Sequence, residues 1–271
     1  MSVLIKVIFC RILSLFPGIK KAFAAYWYRK VLADFPTEEL IFMNYGFSDP
    51  SLSRSLNLSA ADENNRLCIQ LYHQLVSPVD LKNKEVLEIG CGFGGGGAYM
   101  AKCFAPRTLT AIDANARSIS EATRMHRLEN LSFLAADCEK TPFPNNCFDA
   151  VVNVESSHCY PSMPRFLKEV YRILKPNGFF LFCDFRQIKM LPSLKRDLEK
   201  GRLTVVKETD ITGKVCDSLD RLSDSRERLV NSASRGPLRM LMREFAALKG
   251  TEVYNSFKTR KYVYLSYVLQ K

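Results

Sequence analysis

The stretch EVLEIGCGFGGGGAYMA (residues 85–101) decides the fold. A short apolar run carries one acid, Glu88, and enters a loop with six glycines. The run reads as a strand, and GGAYMAKCFA (96–105) reads as the helix that follows it. Glycine lets the chain turn tightly from strand to helix and lets a ligand come close to the backbone. Outward from this point the rhythm repeats. TLTAID (108–113), LSFLAAD (131–137), FDAVVNVES (148–156) and GFFLFCDF (178–185) read as strands. ADENNRLCIQLYHQLV (61–76), ARSISEATRMHRLE (116–129) and MPRFLKEVYRILK (163–175) have helical spacing, the last stopped by Pro176, Asn177 and Gly178. Such alternation predicts a parallel sheet covered on both faces.

Beyond residue 186 the rhythm breaks. Residues 187–250 are charged and read as helical, a cap over the carboxyl edge of the sheet. KTRKYVYLSYVLQK (258–271) reads as a closing strand. The chain thus divides into an N-terminal helical segment and lid (1–60), a ligand-binding core (61–186), a helical cap insert (187–250) and a strand region completing the sheet (251–271).

At 271 residues the chain can bury the core of one large α/β domain, and 47% hydrophobic with 25% charged residues excludes a disordered chain. The formal charge of +11 suits an anionic partner such as nucleic acid or an acidic membrane surface, or is simply a solvated basic face. Nucleic acid is disfavoured because no RNA-binding module accompanies the core. Nine cysteines without a CxxC pair read as reduced thiols in a cytoplasmic protein, and three scattered histidines offer no metal site. The segment VLIKVIFCRILSLFPGIKKAFAAYWYRK (3–30) is interrupted by Lys6 and Arg11 and stopped by Pro17, so it is too short to span a bilayer. Two readings stay open for residues 1–30. One is an interfacial helix making peripheral membrane contact through Tyr26, Trp27 and Tyr28. The other is a helix packed on the protein's own core or lining its acceptor entrance.

GCGFGG (90–95) fits the dinucleotide pattern GxGxxG, a weak signal alone. Asp113 closes the second strand, where a carboxylate can accept both ribose hydroxyls. Glu88, two residues before the glycines, would repel a pyrophosphate but suits an amino group. Asp137 with the following amide of Cys138 can read an adenine edge. Together these favour S-adenosylmethionine, which carries adenosine, a sulfonium and an amino-acid end but no phosphate.

EVLEIGCGFGGG, AIDAN, AADCEKTPFPNNCFDAVVNVES and VYRILKPNGFFLFCDF, across residues 85–185, resemble the successive motifs of class I S-adenosylmethionine-dependent methyltransferases. FMNYGFSDP (42–50), ADENNRLCIQLYHQ (61–74) and VNVESSHCYPSMPRFLKEVYRILKPNG (152–178) are similar to the phthiotriol and phenolphthiotriol dimycocerosate O-methyltransferases. The resemblance implies a Rossmann-like fold with a seven-stranded, mostly parallel sheet, and methylation of a hydroxyl on an apolar small molecule, lipid or polyketide. It fades over residues 1–40 and 187–260, the segments expected to cap the acceptor.

Methyl transfer from a sulfonium requires orientation, exclusion of water and, for a hydroxyl, loss of a proton. Gly90, Cys91, Gly92 and Gly94 are expected beneath the methionine and ribose portions, with Glu88 holding the cationic end through the loop. Asp113 and Ala114 are expected at the ribose, Asp137 and Cys138 at the adenine, and Asn153 near the methionine portion. His158, after the fourth strand, is the candidate general base because imidazole titrates near neutrality. Glu155 would orient it or meet the acceptor. Tyr45 would shield the sulfonium through its ring face or pack as part of a lid. His73 and His126 fall in helical patterns and read as surface or packing residues. No metal is expected. A sterol-type carbon methyltransferase and an RNA methyltransferase are the competing readings, and nothing in the sequence speaks to oligomeric state.

Overall fold

The computed structural model describes residues 40–271. The expectations for residues 1–39, including Tyr26, Trp27 and Tyr28, lie outside that range. Helix α1 (Pro50–Ser55) and α2 (Arg66–Val76) precede β1 (Glu85–Ile89). Then come α3 (Gly95–Cys103), β2 (Thr108–Asp113), α4 (Ala116–Met125), β3 (Leu131–Ala135), β4 (Phe148–Val154), α5 (Met163–Ile173) and β5 (Leu174–Gln187). The chain closes with α6 (Leu191–Lys200), β6 (Thr204–Asp210), α7 (Thr212–Ala233), α8 (Gly236–Phe245), α9 (Glu252–Lys258) and β7 (Tyr262–Gln270).

The seven strands form one sheet in the order β3-β2-β1-β4-β5-β7-β6. β3, β2, β1, β4 and β5 run parallel, and β7 is antiparallel to both β5 and β6. The connections reverse direction across the sheet between β1 and β4, and ligands of such sheets bind where the strand order reverses, outside the carboxyl ends.

Alternation along each strand divides the side chains between two cores. Val86, Val152, Leu181 and Val268 face one side with Leu71 and Leu75 of α2. Leu87, Ile89, Val151, Phe180 and Phe182 face the other, against Phe166, Leu167, Val170 and Ile173 of α5. These α5 residues fall on one helical stripe, which is why the segment folds as an amphipathic helix. Ser162 caps its start by accepting from the amide of Arg165. Each such aliphatic or aromatic side chain, fully buried, contributes about 1.5–3 kcal/mol.

The 187–250 segment differs from its helical reading in one respect. It contains β6, which forms the sheet edge beside β7. TVVKETD (204–210) is exposed along nearly its whole length, so it lacks the apolar face that marks a buried strand. Its strand character comes from the ladder that β7 offers, not from its own pattern.

Candidate active site

The glycine loop leaves the end of β1 with positive φ at Gly90, Gly92 and Gly94. A Cβ at Gly90 would lie 2.4 Å from Ser156 Oγ and 2.8 Å from the Tyr160 hydroxyl. A Cβ at Gly92 would lie 2.4 Å from Met43 Cε. The loop is therefore pressed between the β4 exit and the 42–47 stretch, leaving no room for side chains there. The amides of Gly90 and Cys91 anchor it to the Ile112 carbonyl at 2.8 and 3.0 Å.

Asp113 stands at the end of β2 as expected. One carboxylate oxygen accepts from Gly92 N (3.0 Å) and the other from Asn115 N (2.8 Å), with the Ala114 amide also bonded. Three amides thus occupy three of the carboxylate's roughly four acceptor sites, which leaves one for a ribose hydroxyl. Glu88 sits behind the loop and is 1% exposed. Tyr72 donates to its Oε1 at 2.8 Å, and Oε2 packs against Gly97 of α3. Burial pushes its carboxyl up to about 7. Any influence of Glu88 on a ligand runs through the loop. Asp137 lies exposed beyond β3 and accepts from Glu139 N, while Cys138 packs beside the second core. Asn153 is buried, and its Nδ2 reaches the Ile89 carbonyl, Ser156 Oγ and Tyr160 hydroxyl at 2.8–2.9 Å. Its Oδ1 is buried and has no partner among the described residues, an acceptor left open beside the loop.

The exit of β4 carries the second half of the site. Glu155 has φ +48°, a conformation few non-glycine residues adopt. Its Oε2 accepts from Tyr45 N (2.8 Å) and from the Tyr264 hydroxyl (3.0 Å), and burial pushes its carboxyl up to about 8. His158 Nδ1 lies 2.9 Å from Asp184 Oδ1, and its backbone amide donates to Asp184 Oδ2 at 2.9 Å. Ser157 Oγ and Arg186 Nη1 also reach Asp184, at 2.6 and 2.9 Å. Burial opposes the charge of Asp184, but His158 and Arg186 hold its carboxyl well below the usual range. Burial likewise works against a charged His158, yet Asp184 and Cys159 outweigh it and the imidazole is held well above its ordinary value. The imidazole lies 4.4 Å from the Phe185 ring. Nδ1 is committed to Asp184, the Cys159 thiol also bonds the ring, and Nε2 is the nitrogen through which a proton could be exchanged with an acceptor.

An aromatic box adjoins this dyad. The Tyr45 ring lies 5.6 Å from Phe185 and 5.6 Å from Phe257, and Tyr262 lies 5.6 Å from Phe185. Tyr45 is thus packed into this box, and its hydroxyl donates to the Phe245 carbonyl at 3.2 Å. The cap closes over it from α7, where Ser218 Oγ donates to the Tyr45 carbonyl and Arg226 to the Asn44 carbonyl.

Asp184 and Arg186 escape a reading of the sequence alone. Asp184 lies 26 positions from His158, inside a strand reading. The available signal is an acid at the end of the strand next to β4. His126 packs against Phe133, and its Nε2 meets the Phe93 carbonyl of the glycine loop at 2.9 Å. His73 bonds the Tyr99 hydroxyl between α2 and α3. Among the described residues no group of three or more His, Cys, Asp or Glu could hold a metal, and no helix is long and apolar enough to cross a membrane.

A methyltransferase-domain family model matches residues 87–182. The chain is 35% identical to the phthiotriol/phenolphthiotriol dimycocerosates methyltransferase of Mycobacterium tuberculosis, over 91% of each chain. It is 38% identical to a fatty-acid O-methyltransferase of Mycolicibacterium smegmatis, over 78% of this chain and 77% of that one. Among solved structures, geranyl diphosphate C-methyltransferase of Streptomyces coelicolor, crystallised with S-adenosylhomocysteine, aligns with TM-score 0.65 at 15% identity, over 93% of this chain and 98% of that one. The cyclopropane synthase MmaA2 of M. tuberculosis aligns with TM-score 0.63 at 14% identity, over 88% and 99%. The glycine cradle and the ribose-height carboxylate suit the donor of such enzymes. The chain therefore belongs to the phthiotriol/phenolphthiotriol dimycocerosates methyltransferase family of class I S-adenosylmethionine-dependent methyltransferases.

Proposed function

We propose that the enzyme methylates a hydroxyl on a long apolar acceptor, with His158 as general base. The observation that carries this reading is the His158–Asp184 pair, 2.9 Å apart, beside the Phe185 wall of an aromatic box. S-adenosylmethionine, when bound, supplies an activated methyl group on a sulfonium. Gly90, Cys91, Gly92 and Gly94 would hold its methionine and ribose portions, Asp113 and Ala114 the ribose, Asp137 and Cys138 the adenine, and Asn153 the amino-acid end. The box excludes water and aligns the acceptor's chain. His158 Nε2 takes the hydroxyl proton as the oxygen is methylated, and Asp184 orients the ring and balances the imidazolium. Glu155, largely protonated near neutrality, ties Tyr45 and Tyr264 together beside the box.

Relatives named for phthiotriol lipids and for fatty acids support an apolar acceptor, in either of two forms. A second reading, a carboxylate acceptor, is favoured by the raised pKa of His158. An imidazolium would bind a carboxylate, which needs no base. One experiment separates the two. Labelled donor is offered with long-chain alcohols and with fatty acids of matched length, using wild type and His158→Ala. The hydroxyl reading expects alcohols to be methylated, and His158→Ala to lose roughly 10²–10⁴-fold in kcat with donor affinity intact. Methylation of fatty acids alone, with His158→Ala raising KM and sparing kcat, would overturn it.

A further inference from the structure

Five large apolar side chains stand exposed on the two segments that extend outward from the aromatic box. Ile188 and Met190 follow the carboxyl end of β5, three and five residues beyond Phe185. Met240, Leu241 and Phe245 lie on α8, whose Phe245 carbonyl receives the Tyr45 hydroxyl. All five are between 41 and 57% exposed. On α8, Leu241 and Phe245 stand one turn apart and Met240 on the adjoining side, while Leu238 and Met242 pack with Val230 and Leu248. Soluble surfaces seldom concentrate large apolar groups without a partner for them.

Cations flank this rim. Lys189, Arg235 and Lys249 are exposed beside it. The acid within α8, Glu244, is turned onto the amides of Glu252 and Val253. The chain as a whole carries +11. Apolar side chains flanked by cations match the boundary of an anionic bilayer, where rings and aliphatic groups enter the acyl margin and ammonium and guanidinium groups meet phosphates.

We propose that this rim, formed by Ile188, Met190 and α8, docks on an anionic lipid surface and draws the acceptor from it directly into the box. The proposal rests on the apolar-acceptor reading and names the surface from which that acceptor comes. Entry from a bilayer spares a long apolar chain any passage through water.

Co-sedimentation with vesicles tests this without any turnover. The full chain is mixed with phosphatidylcholine vesicles, with or without phosphatidylglycerol. Wild type is expected to pellet with the phosphatidylglycerol vesicles, to lose that binding in high salt, and to bind pure phosphatidylcholine weakly. Met240→Ser/Phe245→Ser and Ile188→Ser/Met190→Ser should each weaken partition roughly tenfold. Both variants should keep wild-type affinity for S-adenosylhomocysteine, and this shows that they fold. Absence of wild-type binding, or unchanged binding by both variants, overturns the proposal. Unchanged variants would move the contact to residues 1–39. Failure of the methylation reading looks different: vesicle binding persists while neither alcohol nor fatty acid is methylated in detergent.

Discussion

In the proposed reaction one carboxylate, Asp184, would touch no reacting atom and act by positioning His158. A general base works only when neutral, and Asp184 raises the pH at which His158 becomes neutral. Methyl transfer to a hydroxyl should therefore climb with pH through a value above the ordinary histidine range, about 6.5. In Asp184→Asn the ring loses its charged partner, so the rising limb moves down towards that range. The same change lets the imidazole adopt the wrong tautomer, so kcat should fall roughly 10²–10⁴-fold. Stopped-time assays between pH 5.5 and 9.5, with calorimetric titration of S-adenosylhomocysteine, check both effects. A limb that stays in place while kcat falls would reduce Asp184 to a packing role. Sequence reading reaches His158 but not Asp184, because the pairing is made by two neighbouring strands and by no local pattern. Glu155 is also legible as a site residue, but its bonds to Tyr45 and Tyr264 join segments 110 and 109 positions away.

At the scale of elements, the buried parallel strands are easy to read. β1 and β4 announce themselves because both faces are covered, so nearly all their residues are buried and mostly apolar. β6 is hidden for the opposite reason, and the cap's clasp on Tyr45 depends on contacts that no periodicity encodes. The glycine loop is the most legible element, and its cost of substitution can be stated. Gly90→Ala would require a Cβ 2.4 Å from Ser156 Oγ at φ +79°. It should destabilise the fold by about 1–3 kcal/mol and weaken donor binding at least tenfold, roughly. Gly213→Ala is the matched control. Gly213 lies in the first turn of α7, and a methyl group added there would meet nothing within 4 Å. That change should stabilise by about 0.5–1 kcal/mol through helix propensity, leaving donor affinity alone. Denaturant titration and calorimetry on the two variants give the comparison. Equal effects would mean that the loop is not held as tightly as its contacts imply.

Across the whole molecule, the site stores a pH-dependent liability. Glu88 and Glu155 are pushed up to about 7 and about 8, and His158 is also raised. A carboxyl with a raised folded pKa holds its proton when the unfolded chain has already lost it. Stability then falls as pH rises from about 4.3, the unfolded glutamate value, towards 7 or 8. A raised histidine acts in the same direction: its contribution is full below about 6.5 and is lost as pH climbs through the folded value. Asp184, held low, opposes them only on the acid side, since its contribution disappears as pH falls below about 3.9. The ligand-free enzyme should thus be most stable near pH 5 and weaken steadily towards pH 8.5. Glu155→Gln removes one titrating group while keeping an acceptor for Tyr45 N, so it should flatten the decline by on the order of 1–3 kcal/mol. Thermal unfolding of wild type and variant across this pH range measures the difference in slope. Parallel curves would show that Glu155 titrates in the folded enzyme as it does in the unfolded chain, and would remove its assignment as a neutral hydrogen-bonding group beside the box.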